Sequence, residues 1–187
     1  MLPAYIASIA VLIQFLGVFV YIKDMILGTT KPNRVTWIIW ALAPLIGAWL
    51  SWKAGAGLSV LPVFMAGFNP LLVVIASFII KKGYWQITKL DIICGVLAIF
   101  SLILWITTRS FSISILFAIL SDALASLPTI TKSWKYPETE TASTYLCGAI
   151  ANALGLLIIT KWTFPIYSLG IYFILINIGL VFCIYRR

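Results

Sequence analysis

Residues 119–134 read ILSDALASLPTITKSW, and this stretch decides what kind of fold the chain can adopt. Asp122 sits among apolar residues that are typical of a lipid-facing helix, and Pro128 follows it within two turns. A carboxylate at such a depth costs of the order of 2.5–3.5 kcal/mol on insertion scales, so it normally faces a bundle interior or a water-filled cavity. The stretch therefore predicts a membrane helix that turns a polar group inward.

The composition of the whole chain predicts an integral membrane protein. Of its 187 residues, 63% are hydrophobic and 10% are charged, and the mean hydropathy is +1.10. A soluble domain carries roughly 25% charged residues. The net charge of +8 would suggest a nucleic-acid partner for a soluble protein, but here the basic residues lie between apolar runs and indicate topology. We therefore expect the lipid bilayer as the partner and no nucleic acid.

The chain contains no histidine, which limits the chemistry that it can perform. Histidine is the commonest general base and metal ligand. The sequence also has no paired intramembrane carboxylates, no serine beside a base and no GxxxxGKS nucleotide motif. We therefore expect no enzymatic activity, no metal, no cofactor and no ATP-driven step within this chain.

Seven apolar segments are long enough to cross a bilayer, which takes about 20 residues. All are expected to be helical, because lipid offers no partner for an open strand edge. The first lacks a basic region and a cleavage site, so it is expected to be a spanning helix rather than a signal peptide. The segments cover residues 3–22, 35–52, 58–80, 91–108, 112–131, 142–160 and 164–185.

The basic residues predict the orientation of the bundle. Ten of the 13 lysines and arginines lie at the C-terminus or in the loops after the first, third and fifth segments. The opposite side carries Lys53, Arg109 and Lys161. Basic residues are retained on the cytoplasmic side. We therefore expect the N-terminus outside and the C-terminus in the cytoplasm of a plasma membrane of bacterial or archaeal type.

Residues at segment ends and in loops are interpreted as surface features. Most of the eight tryptophans lie near segment ends, which is typical of anchoring at the membrane interface. Glu138 and Glu140 follow the fifth segment beside Lys135 and are expected to be solvated.

A shift of 108 residues superimposes the first three segments on the last three without a gap. Because three helices per copy is an odd number, the second copy keeps the orientation of the first only if one more helix lies between them. The fourth segment is that helix, and parallel repeats of this kind occur in some transporters. The polar and small residues that the shift pairs include Gln14–Asp122, Asn69–Asn177, Thr36–Thr144, Trp37–Tyr145, Gly47–Gly155 and Lys53–Lys161.

The predicted fold is therefore an all-α integral membrane protein whose seven transmembrane helices form two parallel triple-helix bundles joined by a linker helix. The first bundle is assigned to residues 1–83, the linker helix to residues 84–110 and the second bundle to residues 111–187. Since both bundles belong to one chain, a monomer is sufficient, although an oligomer is compatible with this plan.

The stretch SLPTITKSWKYPETETASTYLCGAIANALGL at residues 126–156 resembles the PQ-loop repeat. Pro128 occupies the proline position, and Thr129 replaces the usual glutamine. The earlier copy keeps the basic turn but has Val20 and Tyr21 in place of the dipeptide. With the 3+1+3 plan, the orientation and the length, the chain resembles the SWEET and PQ-loop transporter superfamily.

This resemblance implies a transport function and several site residues. SWEET sugar transporters line their central pocket with an asparagine from the third helix of each repeat, so the resemblance implies that Asn69 and Asn177 face a substrate. It also implies a pocket aromatic residue from the second helix, and the pattern leaves Trp49 and Trp52 as candidates. Members of this superfamily carry sugars, amino acids or vitamins.

The other intramembrane polar residues leave alternatives open. Asp122 is either a structural carboxyl group, a proton-coupling site or the partner of a cationic group, since low dielectric disfavours the charged form and makes protonation reversible. Gln14 and Asn152 either bond between helices or contact a substrate. We expect a midplane site in which Asn69, Asn177, Asn152, Gln14 and Asp122 surround the substrate.

Four prolines are candidate hinges for alternating access, although prolines also occur in membrane helices without a function. They are Pro44, Pro62, Pro70 and Pro128. The expected function is a small-solute facilitator or proton-coupled transporter. The alternative is a receptor of the same fold that binds a ligand without moving it.

Overall fold

The structure is a computed structural model that describes residues 5–80, 85–108 and 110–186, without the side chains of residues 101, 102 and 104–106. These residues form seven α-helices, two 3₁₀ helices and no strand, so the all-helical prediction is confirmed. The 3₁₀ helices are Gly57–Val60 and Pro137–Thr139. The α-helices are α1 (Tyr5–Leu27), α2 (Arg34–Lys53), α3 (Leu61–Ile80), α4 (Lys89–Thr107), α5 (Phe111–Lys135), α6 (Ala142–Leu157) and α7 (Phe164–Tyr185).

Five of these helices are long and apolar enough to cross a membrane: α1, α2, α3 with the 3₁₀ turn before it, α5 and α7. α6 is apolar but has 16 residues and ends at Leu157, three residues before its predicted end. Large apolar side chains cover the outside of the bundle, and Leu16, Ile79 and Leu175 are 65%, 74% and 66% exposed. Because water disfavours such a surface, the outside of the bundle is consistent with a lipid environment.

Local capping forms the turn between α1 and α2. Gly28 follows α1 with a φ of +80°, a left-handed conformation that glycine adopts without strain. Asn33 then caps α2, since its Oδ1 accepts hydrogen bonds of 3.1 and 3.4 Å from the N–H groups two and three residues later. We call the end of the bundle that contains this turn the basic end, because it carries Lys31, Arg34, Lys132, Lys135 and Arg186.

The same packing pattern occurs in the first and in the last three helices. α1 packs against α3 and α6, and α5 packs in the same way against α7 and α2. α2 packs against α3, as α6 does against α7. Glycines permit the close approaches: a Cβ on Gly17 would lie 2.8 Å from Cβ of Cys147 on α6, and one on Gly67 would lie 2.9 Å from the backbone nitrogen of Leu45 on α2.

α4 lies at the periphery, where it packs against α5 and α2. Its start is anchored by Asp91, which is fully buried and accepts hydrogen bonds from the Thr88 hydroxyl at 2.6 Å and from the Asn33 side-chain amide. Ile93 and Val96 are 58% and 61% exposed. The helix is therefore fixed to the start of α2 while its other face fits lipid. Arg109, which follows α4 and was predicted to mark the opposite end, lies outside the described residues.

Three of the four predicted hinge prolines lie inside helices. Pro44, Pro70 and Pro128 belong to α2, α3 and α5, which continue through them. Each lacks the N–H that would bond the carbonyl four residues earlier, so the helix bends more easily there. The prediction is wrong for Pro62, which is the second residue of α3. In a first turn no intrahelical hydrogen bond is lost to proline, so this residue does not interrupt the helix.

Candidate functional site

A cavity of about 70 Å³ lies between six helices, at the middle of α1, α3, α5 and α7 and toward the start of α2 and α6. Every α-helix of the described chain except α4 contributes to its lining. A water molecule needs roughly 10–15 Å³ of such volume, so the cavity has room for about five waters. Pockets for drug-sized ligands start at roughly 300 Å³. This conformation therefore fits a small solute only.

The five polar residues that were predicted to share a site all line this cavity. Four of them are buried, with exposed fractions between 1% for Asn152 and 8% for Asn69. The structure thus brings them together, while their contact with a substrate stays a prediction. They are Gln14 on α1, Asn69 on α3, Asp122 on α5, Asn152 on α6 and Asn177 on α7.

Several buried polar atoms of the lining residues have no hydrogen-bond partner among the described residues. Three are acceptors, namely Oδ1 of Asn69, Asp122 and Asn152. Two are donors, the indole Nε1 atoms of Trp37 and Trp40. Leaving one such group unpaired costs about 1–3 kcal/mol. Their concentration around one cavity indicates that a polar ligand or water would complete the site.

Asp122 is hydrogen-bonded through one oxygen. Its Oδ2 accepts a bond of 2.7 Å from the Tyr172 hydroxyl on α7, and the Trp40 indole N–H lies near the carboxyl group without the geometry of a hydrogen bond. No lysine or arginine belongs to the lining, so no cation of the cavity wall neutralises this carboxyl group. Tyr172 carried no signal in the sequence, because its role depends on how α7 packs against α5.

The side-chain amides are oriented by backbone carbonyls. Nε2 of Gln14 donates to the Pro62 carbonyl at 2.8 Å, and Nδ2 of Asn69 donates to the Gln14 carbonyl at 3.1 Å. These two bonds tie α1 to α3. Asn152 and Asn177 each donate to the carbonyl four residues earlier in their own helix, at 2.9 and 2.7 Å. The donors are thus partly used, and the free oxygens of Asn69 and Asn152 give the cavity acceptor character.

The two tryptophans that the resemblance suggested do not line the cavity. Trp49 and Trp52 are 51% and 58% exposed near the end of α2, where the Lys53 ammonium lies 5.8 and 5.5 Å from their ring centroids. Their side chains lie on the face of α2 that points away from the bundle interior. They fit interfacial anchors instead.

Trp37 and Trp40 provide the aromatic wall of the cavity together with Tyr145. The ring centroids are 5.4 Å apart between the two tryptophans and 6.3 Å apart between Trp40 and Tyr145. Trp37 is 4% and Trp40 8% exposed, so interfacial anchoring does not account for them. The 108-residue shift contained a signal for Trp37, because it pairs this residue with Tyr145.

More than half of the lining residues are related by the same shift. Each pair contributes one residue from α1–α3 and one from α5–α7. The pairs are Gln14–Asp122, Trp37–Tyr145, Trp40–Gly148 and Asn69–Asn177. The cavity is thus lined from both halves of the chain, α1–α3 and α5–α7.

Apolar clusters flank the cavity along the bundle. Toward the basic end, Val18, Tyr21 and Met25 of α1 pack with Val73 of α3 and Leu180 of α7. On the far side, α2, α3, α5 and α7 contribute a second cluster, which includes Leu50, Val63, Ile115, Leu169 and Phe173. These clusters pack apolar side chains from different helices on both sides of the cavity.

A buried polar cluster lies beyond the first apolar cluster, at the basic end. Lys132 and Glu140 form an ion pair of 2.5 Å with side chains that are 1% and 0% exposed. Oε2 of Glu140 also accepts hydrogen bonds from the hydroxyls of Tyr21 and Tyr145, at 3.1 and 2.8 Å. The expectation of a solvated Glu140 is wrong, because the loop after α5 folds inward against α1. We call these four residues the Glu140 cluster.

Each of the two loops at the basic end is bonded by a residue from the other half of the chain. Lys132 of α5 donates to the backbone carbonyl of Lys31 in the first loop. Asp24 of α1 accepts a 2.7 Å hydrogen bond from Thr141, which follows the second loop. Asp24 and Lys132 are themselves 108 residues apart. A backbone hydrogen bond of 3.0 Å from Lys31 to Thr139 completes these contacts.

Comparison of the chain with protein-family models, curated proteins and solved structures finds no match. The function is therefore inferred from the residues of the chain itself.

Proposed function

We propose that the chain is a small-solute membrane transporter of the SWEET and PQ-loop type, which binds its substrate in the central cavity and works by alternating access. The observation that carries the proposal is the set of four residue pairs, 108 positions apart, that line one cavity. Transporters with parallel repeats bind substrate at the interface of the repeats near the midplane. A cavity that served packing alone would have no reason to gather mid-helix amides and a carboxyl group.

Helix packing supports a 3+1+3 plan for this function. The contacts of α1, α2 and α3 with one another are repeated by α5, α6 and α7, and α4 contributes nothing to the cavity wall. We assign α1–α3 to one rocking unit, α5–α7 to the other and α4 to the linker. Pro44, Pro70 and Pro128 remain candidate bending points, because each lies in the interior of a helix that contributes to the unit interfaces.

The Glu140 cluster is proposed as the closed gate on the basic side. It joins α1, α5, α6 and both loops, so this side opens only if the ion pair and the tyrosine hydrogen bonds separate. Positive charge at this end supports the assignment of the basic end to the cytoplasm. In this proposal the structure represents a state that is closed toward the cytoplasm.

Uptake into proteoliposomes tests the function. The protein would be reconstituted and assayed with radiolabelled glucose, glycine, nicotinamide and ethanolamine, with protein-free vesicles as the baseline. We expect at least one of these solutes to enter faster than the baseline and to be chased out by excess unlabelled solute. Saturable binding without uptake would favour the receptor alternative and contradict transport.

Alanine substitutions of the paired asparagines should reduce this uptake. Asn69→Ala removes the unpaired Oδ1 and the bond to α1, and Asn177→Ala removes its repeat partner from the wall. We expect each to lower initial uptake roughly ten-fold, which corresponds to about 1.4 kcal/mol. Thr131→Ala is the matched control, because Thr131 bonds only its own helix outside the cavity in the contacts described. Normal uptake by both asparagine variants would contradict the proposed site.

A further inference from the structure

We infer that the cavity selects small solutes that carry an ammonium group, with Asp122 as the residue that recognises the charge. This inference rests on the proposed transport function for its physiological meaning, but it concerns the binding chemistry of the cavity itself.

The charge of the lining is the first argument. Asp122 is 2% exposed, and it is the one carboxyl group of the cavity wall. The wall contains no lysine or arginine, and the ammonium of Lys132 is already engaged by Glu140 and by a backbone carbonyl. A buried carboxylate without a cation is unfavourable. A positively charged solute would neutralise it where the protein does not.

The unpaired acceptors are the second argument. Oδ1 of Asp122, Asn69 and Asn152 are all buried without a hydrogen-bond partner in the described part of the chain. They come from three different helices around the same cavity. A primary ammonium has three N–H donors and no acceptor. Three acceptors around one space match that group, whereas a carboxylate or phosphate of a solute would be repelled.

The aromatic wall is the third argument. Trp37, Trp40 and Tyr145 form one side of the cavity, and aromatic faces attract cations through the ring quadrupole. The indole N–H groups of the two tryptophans lie near Asp122 and the Tyr21 hydroxyl without the geometry of a hydrogen bond, so they supply donors as well. They would pair with an oxygen of the same solute. The combination describes a small amine that also carries a hydroxyl or carbonyl oxygen, such as an amino alcohol.

Matched pairs of solutes test this chemistry in the purified full chain. Ethanolamine and ethylene glycol differ by an ammonium in place of a hydroxyl, and 4-aminobutanol and 1,4-butanediol form a longer pair. Isothermal titration in detergent would measure each dissociation constant. We expect each amine to bind at least roughly ten-fold more tightly than its diol, since hydrogen bonds to charged groups are the stronger ones. Equal or tighter binding of the diols, or no binding of either amine, would overturn the inference.

Variants assign the preference to Asp122. Asp122→Asn keeps the shape but removes the charge, so the ratio of the two dissociation constants should fall close to one. Asp122→Glu keeps the charge and should retain a preference for the amine, which guards against a loss that merely reflects misfolding. Glu138→Gln is the matched control for loss of a carboxylate, because Glu138 is exposed in the loop after α5. An unchanged ratio in Asp122→Asn would overturn the assignment.

The outcomes separate this inference from the proposed function. If the amines bind but do not enter proteoliposomes, the cavity chemistry stands and transport is contradicted. If only neutral solutes bind and enter, transport stands and the ammonium inference is wrong. A proton on Asp122 would then be the remaining way to neutralise the carboxyl group.

Discussion

Lys132→Met is expected to lower the free energy of unfolding by about 3–5 kcal/mol, and Glu140→Gln to have a similar effect. Each substitution removes one partner of an ion pair whose side chains are 1% and 0% exposed and leaves the other charge buried without its counter-ion. The loss at Glu140 also deprives the hydroxyls of Tyr21 and Tyr145 of a charged acceptor. Reversible unfolding in mixed micelles would measure both values.

The double variant Lys132→Met with Glu140→Gln should recover a large part of the loss, because no unpaired charge remains. Lys23→Met is the control at the same end of the bundle, since Lys23 is exposed on α1. We expect a change within about 0.5 kcal/mol for that variant. Single variants as stable as the parent chain would show that the ion pair does not hold the basic end together.

Gly148→Leu should reduce the initial rate of uptake roughly ten-fold or more. A ten-fold reduction corresponds to a rise of about 1.4 kcal/mol in the activation free energy of transport. Gly148 lines the cavity, and a Cβ at this position would lie 3.1 Å from both terminal atoms of the Asn177 amide. An alanine at this position requires the Asn177 amide to move by a few tenths of an ångström, whereas a leucine side chain extends into the cavity of about 70 Å³. The Gly148→Ala variant is therefore expected to fall between the parent chain and Gly148→Leu.

Gly179→Leu is the matched control for this series. A Cβ at Gly179 on α7 meets no atom within 4 Å, so a leucine there points into open space and should leave uptake near the parent level. Comparing the yield and the thermal unfolding of the two leucine variants separates blockage from misfolding. Normal uptake by a folded Gly148→Leu protein would contradict the placement of the substrate in this cavity.

The inward orientation of the polar residues could be predicted from the sequence, because in a membrane it follows from each apolar helix by itself. A carboxyl or amide group in the middle of an apolar helix is unfavourable in lipid wherever that helix lies, so Asp122 and Asn69 had to turn inward. The helical fold follows from the same constraint on backbone hydrogen bonds. No knowledge of neighbouring helices was needed for either conclusion.

Features that depend on neighbouring helices could not be predicted in this way. The burial of Glu140 requires a lysine eight residues earlier and two tyrosines on other helices to meet it, and the loop sequence by itself looks solvated. Trp40 and Trp49 lie on the same helix, and both have mainly apolar neighbours in the sequence. Only the packing of α2 decides which of them faces the cavity. The hinge prediction was wrong for Pro62 because α3 begins at Leu61, which places this proline in the first turn, where it does not interrupt the helix.

Several positions that lie 108 residues apart carry complementary rather than identical side chains. Gln14 and Asp122 differ in charge, Asp24 and Lys132 carry opposite charges, and Trp40 and Gly148 differ in size. A homodimer of the first half would place two Trp40 side chains in the space that one tryptophan and one glycine now share. It would also offer two copies of Asp24 and no counterpart of Lys132.

A homodimer of the second half would bring together two Asp122 carboxyl groups at the cavity and would lack the Tyr21 hydroxyl that donates to Glu140. Each half is therefore expected to pair less well with its own copy than with the other half. If the chain were cut within the connection that contains α4, the two fragments would be expected to reassemble as a heterodimer.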